Sequence, residues 1–173
     1  QEYLRPHDVA VLLQLAIEPG TFRFLADRVG LSVGETHNAA KRLELSRLAI
    51  LDERSVNVSA AMDFLVSGVP YAFPPQLGAP ARGVPTAHSA GFLAGDLASS
   101  NESIVWPSRT GDTRGVSLVP LLPAAVSKIQ ENNSELYELL TLVDAIRIGR
   151  ARERKLAVDR LRERLFGDRP WKS

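Results

Sequence analysis

One stretch of the sequence groups side chains that suit hydrogen bonding to a nucleic acid. Between residues 32 and 44 these are the side chains of His37, Asn38, Lys41 and Arg42, and Gly34 shares their face. Base edges in a major groove exchange hydrogen bonds with such side chains, and phosphates pair with cations. The other side of the same stretch is small or apolar, at Thr36, Ala39, Ala40 and Leu43. Helical spacing therefore predicts an outward polar face over a packed inner face, although the solvated face of an ordinary helical hairpin would show the same pattern.

A second concentration of charge lies near the C-terminus. Five cations fall within nine residues, at Arg147, Arg150, Arg152, Arg154 and Lys155. They could contact phosphates or an acidic partner. Glu153, Asp159 and Glu163 are interleaved with them and could instead form ion pairs three or four residues away. A solvated helix is therefore the alternative interpretation.

Two short helices and a tight turn must hold the first polar face in position. We expect the first helix over residues 22–29, capped by Thr21, whose hydroxyl can accept from a free backbone N–H. Gly30 suits the left-handed residue that follows a helix. Ser32 and Glu35 have the spacing of a capping box, which begins the next helix. A three-residue connection that contains glycine is typical of a helix-turn-helix.

Elements on both sides extend this unit. Residues 6–18 predict a preceding helix, because Pro6 suits its first position and Pro19–Gly20 ends it. On the other side, β-prone residues 45–51 and 56–58 flank a polar four-residue turn. This pattern predicts a small hairpin directly after the polar helix.

Residues 4–58 resemble the winged helix-turn-helix domain of bacterial transcriptional regulators of the MarR-like kind. The resemblance is carried by Leu31-Ser32, Glu35, Lys41-Arg42-Leu43 and Leu48-Ala49-Ile50. It implies that residues 32–44 form the recognition helix, with Ser32 capping it near the DNA backbone, and that Arg54 lies at the tip of the wing. It also implies sequence-specific binding of double-stranded DNA, and the two-fold sites usual for such proteins lead us to expect a homodimeric repressor.

The composition changes after residue 66. Residues 67–125 contain eight of the eleven prolines and seven of the twelve glycines, which excludes long helices and breaks strands. We expect an ordered, loop-rich segment with short strands at residues 103–106 and 115–119, joined by a turn near residues 111–112. Disorder over parts of residues 75–101 is the alternative.

The last third of the chain is predicted to be helical. Asn132 and Glu135 have capping-box spacing and precede an apolar stripe over residues 136–146. A further helix is expected over residues 150–165. Either apolar side could pack into the core or form a dimer interface.

The predicted fold class is mainly α, in three segments. These are a winged helix-turn-helix domain at 1–66, a loop-rich segment with short strands at 67–125, and a helical region for dimerisation or partner contact at 126–173. The chain contains no cysteine, which excludes disulfides and thiolate metal sites and suits a reducing cytoplasm. No apolar run approaches the roughly 18–20 residues that span a bilayer, so we expect no membrane contact.

Charge and motif content narrow the function further. The formal net charge is only +1, and the positive excess lies in residues 144–173, which hold ten Lys/Arg against five Asp/Glu. No phosphate-binding loop, paired catalytic acids or metal-ligand spacing is present in the sequence, so we expect neither an enzyme nor a cofactor or metal. The alternative to DNA binding is a protein-binding antitoxin or adaptor, whose C-terminal half clasps a partner protein.

Overall fold

The computed structural model describes residues 3–94, 102–123 and 126–167 of the 173-residue chain. Over these ranges the protein is mainly helical with two small sheets, which confirms the predicted fold class at that level. The first three helices are α1 (Asp8–Ile17), α2 (Phe22–Val29) and α3 (Val33–Leu45). Their ends lie within about two residues of the predicted ones, because capping groups define them.

The caps between these helices form as predicted. The Thr21 hydroxyl accepts from a backbone N–H in the first turn of α2. Gly30 adopts the left-handed conformation, with φ 77°, and ends α2. Ser32 and Glu35 form the reciprocal capping box that begins α3. Three residues therefore join α2 to α3, and they set the angle at which α3 leaves the turn.

A very short hairpin follows α3. Strand β1 (Ala49–Ile50) pairs antiparallel with β2 (Ser55–Val56), and residues 51–54 connect them. Both strands are shorter than the sequence predicts. Arg47, with φ 62°, ends the helical path and redirects the chain into β1.

A longer helical segment follows the hairpin. It consists of α4 (Val58–Asp63), a π-helical turn (Phe64–Gly68) and α5 (Val69–Ala72). Pro70 occupies the second position of α5, directly after the π-helical turn. The Val66 carbonyl, four residues before it, accepts a hydrogen bond from Arg154 instead of from a backbone N–H at position 70.

The middle segment contains three strands, one more than predicted. They are β3 (Leu77–Pro85), β4 (Ile104–Pro107) and β5 (Thr113–Leu118). β3 is antiparallel to both others, and β4 and β5 run parallel, so the three close on one another. β4 and β5 lie close to the two predicted strands, and the connection between them contains Gly111 and Asp112, as expected. The sequence does not predict β3, because this strand contains two prolines, Pro80 and Pro85. The strand accommodates Pro80 at a register shift, where the regular ladder is interrupted.

Glycine makes this closure possible. A Cβ atom on Gly83 would lie 2.0 Å from the carbonyl oxygen of Trp106, and one on Gly115 would lie 2.3 Å from that of Ser103. A Cβ on Gly111 would lie 2.2 Å from the backbone of Gly83. The glycines that argue against strands in the sequence are thus the residues that let three backbones meet.

A 3₁₀ turn (Ala87–Ser89) and α6 (Gly91–Ala94) follow β3. The alternative prediction is disorder over parts of residues 75–101. Residues 95–101 of that range lie outside the described residues. The strand at residues 77–85 excludes it for that part of the segment.

Three helices complete the described part of the chain, α7 (Val126–Asn132), α8 (Ser134–Ile148) and α9 (Ala151–Phe166). The cap of α8 is Asn133, not Asn132 as predicted. The Asn133 side chain accepts from Leu136 N–H, and its amide also donates to Gln14 Oε1 at 2.8 Å. Asn133 caps α8 in place of Asn132 because its side chain is buried against α1.

Helices α1 and α8 form the centre of the core. Every residue from Asp8 to Ala16 is buried, and so is every residue from Leu136 to Ile146. Burial on all sides excludes the dimer-interface interpretation of the 136–146 stripe. α9 packs on α8 through Ala157, Leu161 and Leu165.

Among the described residues, no single helix is long and apolar enough to cross a membrane. α1 and α2 would reach that length only together, across a bend of 117°.

Candidate functional site

The outer face of α3 carries fewer polar groups than the sequence predicts. Ser32, Gly34, Asn38 and Lys41 are exposed, as predicted. Asn38 and Lys41 lie one helical turn apart, and neither side chain makes a hydrogen bond or ion pair with the described residues. An amide and an ammonium therefore face solvent on a helix whose position is fixed by its cap.

The sequence predicts Arg42 on this outer face, and that prediction is wrong. Its guanidinium is 7% exposed and forms a two-pronged ion pair with Asp8 of α1. Nε to Oδ2 is 2.7 Å, and Nη2 to Oδ1 is 2.8 Å. Hydrogen bonding to Asp8 raises the pKa of Arg42, so the guanidinium is charged at all ordinary pH values. Arg42 therefore fixes α3 to α1 and cannot reach a ligand at the same time.

Sequence periodicity could not show this pairing. Arg42 follows Lys41 directly, and the two side chains point about 100° apart on the helix. The sequence places Asp8 as a favourable charge in the first turn of α1, which it is, but Asp8 is also 1% exposed. A buried carboxylate needs a partner, so an acid inside an otherwise apolar helix is the available signal.

His37 and Arg54 are held by Phe22 of α2. The His37 ring contacts the Phe22 ring edge-on, with centroids 4.8 Å apart. The Arg54 guanidinium lies 3.9 Å from the centroid of the same phenyl ring and donates to the carbonyl of Leu51. Arg54 lies in the turn that joins β1 to β2, as predicted, and its guanidinium folds back onto α2. The hairpin and α3 are thereby joined through one aromatic side chain.

The charge around α3 is mixed. Glu35 and Glu44 are exposed on the same helix as Lys41, and Arg47 is exposed directly after it. Both acids are engaged with the backbone, since Glu35 caps α3 and Glu44 accepts from Leu51 N–H at 2.7 Å. The hydrogen bonds with Ser32 lower the pKa of Glu35. Arg47, which the sequence pattern does not indicate, adds an exposed cation at the C-terminal end of this face.

Arg147 is predicted as a phosphate or partner contact, and its position contradicts that prediction. Its side chain is 4% exposed and pairs with Asp144 at 2.9 Å. Its other nitrogens donate to the carbonyls of Phe73, at 3.0 Å, and Pro74, at 3.3 Å. Arg147 therefore holds the end of α5 on α8.

Asp144 is the centre of a buried polar network. Its Oδ2 atom accepts from Thr86 Oγ1 and from Trp106 Nε1, each at 2.7 Å, and Arg147 donates to Oδ1. Burial raises the pKa of Asp144, while Arg147 and the two hydrogen bonds act in the opposite direction. The carboxylate thus depends on three donors, from β4, from α8 and from the residue after β3, to remain charged in the core.

Tyr137 lies beside this network and contacts the end of β3. Its hydroxyl donates to the carbonyl of Pro85, and its ring packs edge-on against Trp106 at 5.7 Å. Burial, with a contribution from Asp112, raises the pKa of Tyr137 to about 12. The end of β3 is therefore bound to α8 by two hydrogen bonds. The Tyr137 hydroxyl donates to Pro85, and the Asp144 carboxylate accepts from Thr86.

The other cations of the C-terminal cluster lie around α9. Arg150, Arg152 and Lys155 are exposed, and Lys155 pairs with Asp159 at 3.3 Å. Arg154 is partly buried and donates to the carbonyl of Val66 at 2.9 Å. The five cations therefore form no single surface. Arg147 lies in the core, Arg154 contacts the π-helical turn, and the other three are exposed on and next to α9.

Comparisons with models of known protein families, with curated proteins and with solved structures each found no match.

Proposed function

We propose that the protein is a winged helix-turn-helix regulator that binds double-stranded DNA, with α3 in the major groove. The observation that carries the proposal is the outward pair of Asn38 and Lys41 on a helix whose start is fixed by the Ser32–Glu35 box. The MarR-like resemblance of residues 4–58 supports the same assignment. Base readout requires side chains held on a rigid element, and this helix is held at both ends.

The buried contacts support the proposal by the way they orient α3. Asp8 grips Arg42 from the core side, and Phe22 contacts His37 near the N-terminal half of the helix. These two contacts leave Gly34, Asn38 and Lys41 facing solvent on one side. A Cβ atom on Gly34 would have no neighbour within 4 Å, so a base edge can approach the backbone closely there.

The chemistry of the pair suggests what it reads. An amide can accept from adenine N6–H and donate to adenine N7, and an ammonium can donate to guanine at O6 and N7. Each such contact discriminates against a wrong base by about 1–3 kcal/mol. Arg47 is placed to meet phosphates at the end of the groove contact. A homodimer that binds a two-fold site with half-sites about 34 Å apart completes the proposal.

The proposal is tested by selecting binding sequences from a pool of random duplexes and measuring affinity for the winner by fluorescence anisotropy. Asn38→Ala combined with Lys41→Ala should weaken binding at least 100-fold while the circular dichroism spectrum stays that of the wild type. The matched control is Gln76→Ala with Arg162→Ala, which removes an amide and a cation from exposed positions outside α3. Full affinity in the control, and loss only in the α3 variant, is the expected pattern.

Two results would overturn the proposal. One is a selection in which the wild type enriches no sequence. The other is unchanged affinity in the Asn38/Lys41 variant.

A protein-binding module, of the antitoxin or adaptor kind, is a second candidate. It is favoured by apolar exposure on the same domain, where Val33, Leu45 and Ile50 are each about half exposed or more. Such side chains suit a protein surface better than a phosphate backbone. A partner that binds stoichiometrically, and loses affinity on Leu45→Asp but not on Asn38→Ala with Lys41→Ala, would select this candidate.

A further inference from the structure

We propose that a second surface, the arginine corner of the three-stranded unit, contacts the phosphate backbone of the same DNA. The arginine corner consists of Arg82 on β3, Arg114 on β5 and Arg109 in the turn between β4 and β5. This inference rests on the proposed function, since it names further contacts to the same duplex.

The geometry of the corner places like charges together. Arg82 and Arg114 are direct partners in the antiparallel β3–β5 ladder, so their side chains leave the same face. Both are exposed, and so is Arg109. The turn that carries Arg109 is fastened to β3, because Ser108 N–H donates to the Arg82 carbonyl at 3.0 Å.

None of the three guanidinium groups forms an ion pair or hydrogen bond with the described residues. This contrasts with Arg42 and Arg147, which are both paired in the core. Two described acids lie close to the corner along the chain, Asp112, whose Oδ1 accepts from Thr113, and Glu102, whose carbonyl contacts His88. Like charges directly opposite each other destabilise a sheet, so a bound anion would relieve the repulsion.

The backbone holds the corner rigid. Gly83 and Gly115 directly follow the two strand arginines in sequence, and close backbone approaches at both glycines fix the strands. The charges are also concentrated, because residues 61–143 contain four Lys/Arg and three of them are these arginines. Rigid placement lowers the entropy lost when a phosphate is bound.

Helix α7 connects the corner to the turn before α3. At its start, Ser127 Oγ lies 3.1 Å from both Ser108 Oγ and Thr110 Oγ1, in the turn that carries Arg109. At its end, the Asn132 carbonyl accepts from Arg28 of α2 at 3.1 Å. The seven residues of α7 span about 10 Å, which is the axial length of about three base pairs.

The proposal requires that a duplex bound by the N-terminal half of α3 runs along α7, so that its phosphates meet the corner. Lys128, exposed on α7 and 3.7 Å from Asp27, lies along the same path. Guanidinium groups pair with phosphate oxygens regardless of sequence, so the corner is expected to add affinity without changing base preference.

The test measures affinity for the selected duplex across a series of salt concentrations. Each phosphate contact contributes about 0.9 to the slope of log affinity against log salt. Arg82→Gln with Arg114→Gln should lower that slope by about 2 and weaken binding about tenfold or more at low salt, with the selected sequence unchanged. Arg114→Gln alone is matched by Arg162→Gln, which removes one exposed cation from α9.

The outcomes separate the two proposals. A reduced slope in the corner variants, with an unaltered slope in the Arg162 variant, supports the inference. An unchanged slope in the corner variants, while Asn38→Ala with Lys41→Ala still abolishes binding, overturns the inference alone. Failure of the wild type to bind any duplex overturns both.

Discussion

Two buried aspartates hold two different kinds of structure together. Asp8 joins neighbouring helices, α1 and α3, through one two-pronged contact with Arg42. Asp144 joins segments far apart in sequence, through Thr86, Trp106 and Arg147. The first contact lies at the base of the proposed recognition helix, and the second lies beneath the three-stranded unit.

The two aspartates differ in what determines the structure around them. Around Asp8, the helices are defined by local caps, and the ion pair only selects how they pack. Around Asp144, the strands have weak local propensity, and the polar network is part of what creates the fold. We therefore expect that removing Asp144 lowers the free energy of unfolding more than removing Asp8 does.

The largest effect should follow from Asp144→Ala. This variant leaves Trp106 and Thr86 without their acceptor and Arg147 without its ion-pair partner, and it should cost about 3–5 kcal/mol of unfolding free energy. Urea denaturation checks this value against Asp8→Ala, where the buried Arg42 loses its ion-pair partner and the Arg5 backbone N–H loses an acceptor. We expect a smaller loss in that variant because local caps define the surrounding helices. A larger loss in the Asp8 variant would invert the comparison.

The next largest loss of unfolding free energy should follow from Gly83→Ala. Its Cβ would lie 2.0 Å from a backbone oxygen, which cannot move without parting β3 from β4. We expect a loss of about 1–3 kcal/mol or more in thermal or urea unfolding. Stability equal to that of the wild type would show that β3 and β4 are not in this close register.

High pH offers a third test through Tyr137. Its pKa is raised to about 12 in the folded protein, from an ordinary value of 10.0. The stabilisation is therefore complete below pH 10 and is lost as the pH rises toward 12, by about 2–3 kcal/mol. Urea unfolding at pH 9 and pH 11.5 should show this loss in the wild type and a smaller one in Tyr137→Phe. Equal losses in the two proteins would contradict the buried position of the hydroxyl.

The smallest effect is expected at Gly34, in the N-terminal region. No atom lies within 4 Å of a Cβ at this position, and alanine favours a helix over glycine. Gly34→Ala should raise the unfolding free energy by about 0.5–1 kcal/mol while weakening DNA binding, because the methyl group keeps a base edge away. Chemical denaturation and anisotropy of the same sample check both halves. A destabilised variant would mean that the start of α3 is more crowded than the structure indicates.

The sequence predicts the N-terminal helices well because their signals are local. Thr21, Gly30 and the Ser32–Glu35 box act within four residues of themselves, and all of them form as expected. The inward position of Arg42 could not be predicted in the same way. Its partner, Asp8, lies 34 residues away, and only the packing of α1 against α3 brings them together.

The middle segment resists prediction for a related reason. Prolines and glycines oppose a regular strand locally, yet Gly83 and Gly115 are what permit the contacts among three backbones. The sequence also gives no sign that Trp106, Thr86 and Asp144 interact. Their hydrogen bonds join residues of different elements. Non-local satisfaction of a polar group leaves no periodic pattern to detect.

The most direct test of DNA recognition by α3 is an NMR titration of the protein with its selected duplex. We predict the largest shift changes at the Asn38 side-chain amide and at backbone amides of residues 32–41. The Arg42 Nε–H signal should remain in place, because that group stays on Asp8. Large changes at Arg42 Nε–H, or changes confined to α9 with none on α3, would contradict DNA recognition by this helix.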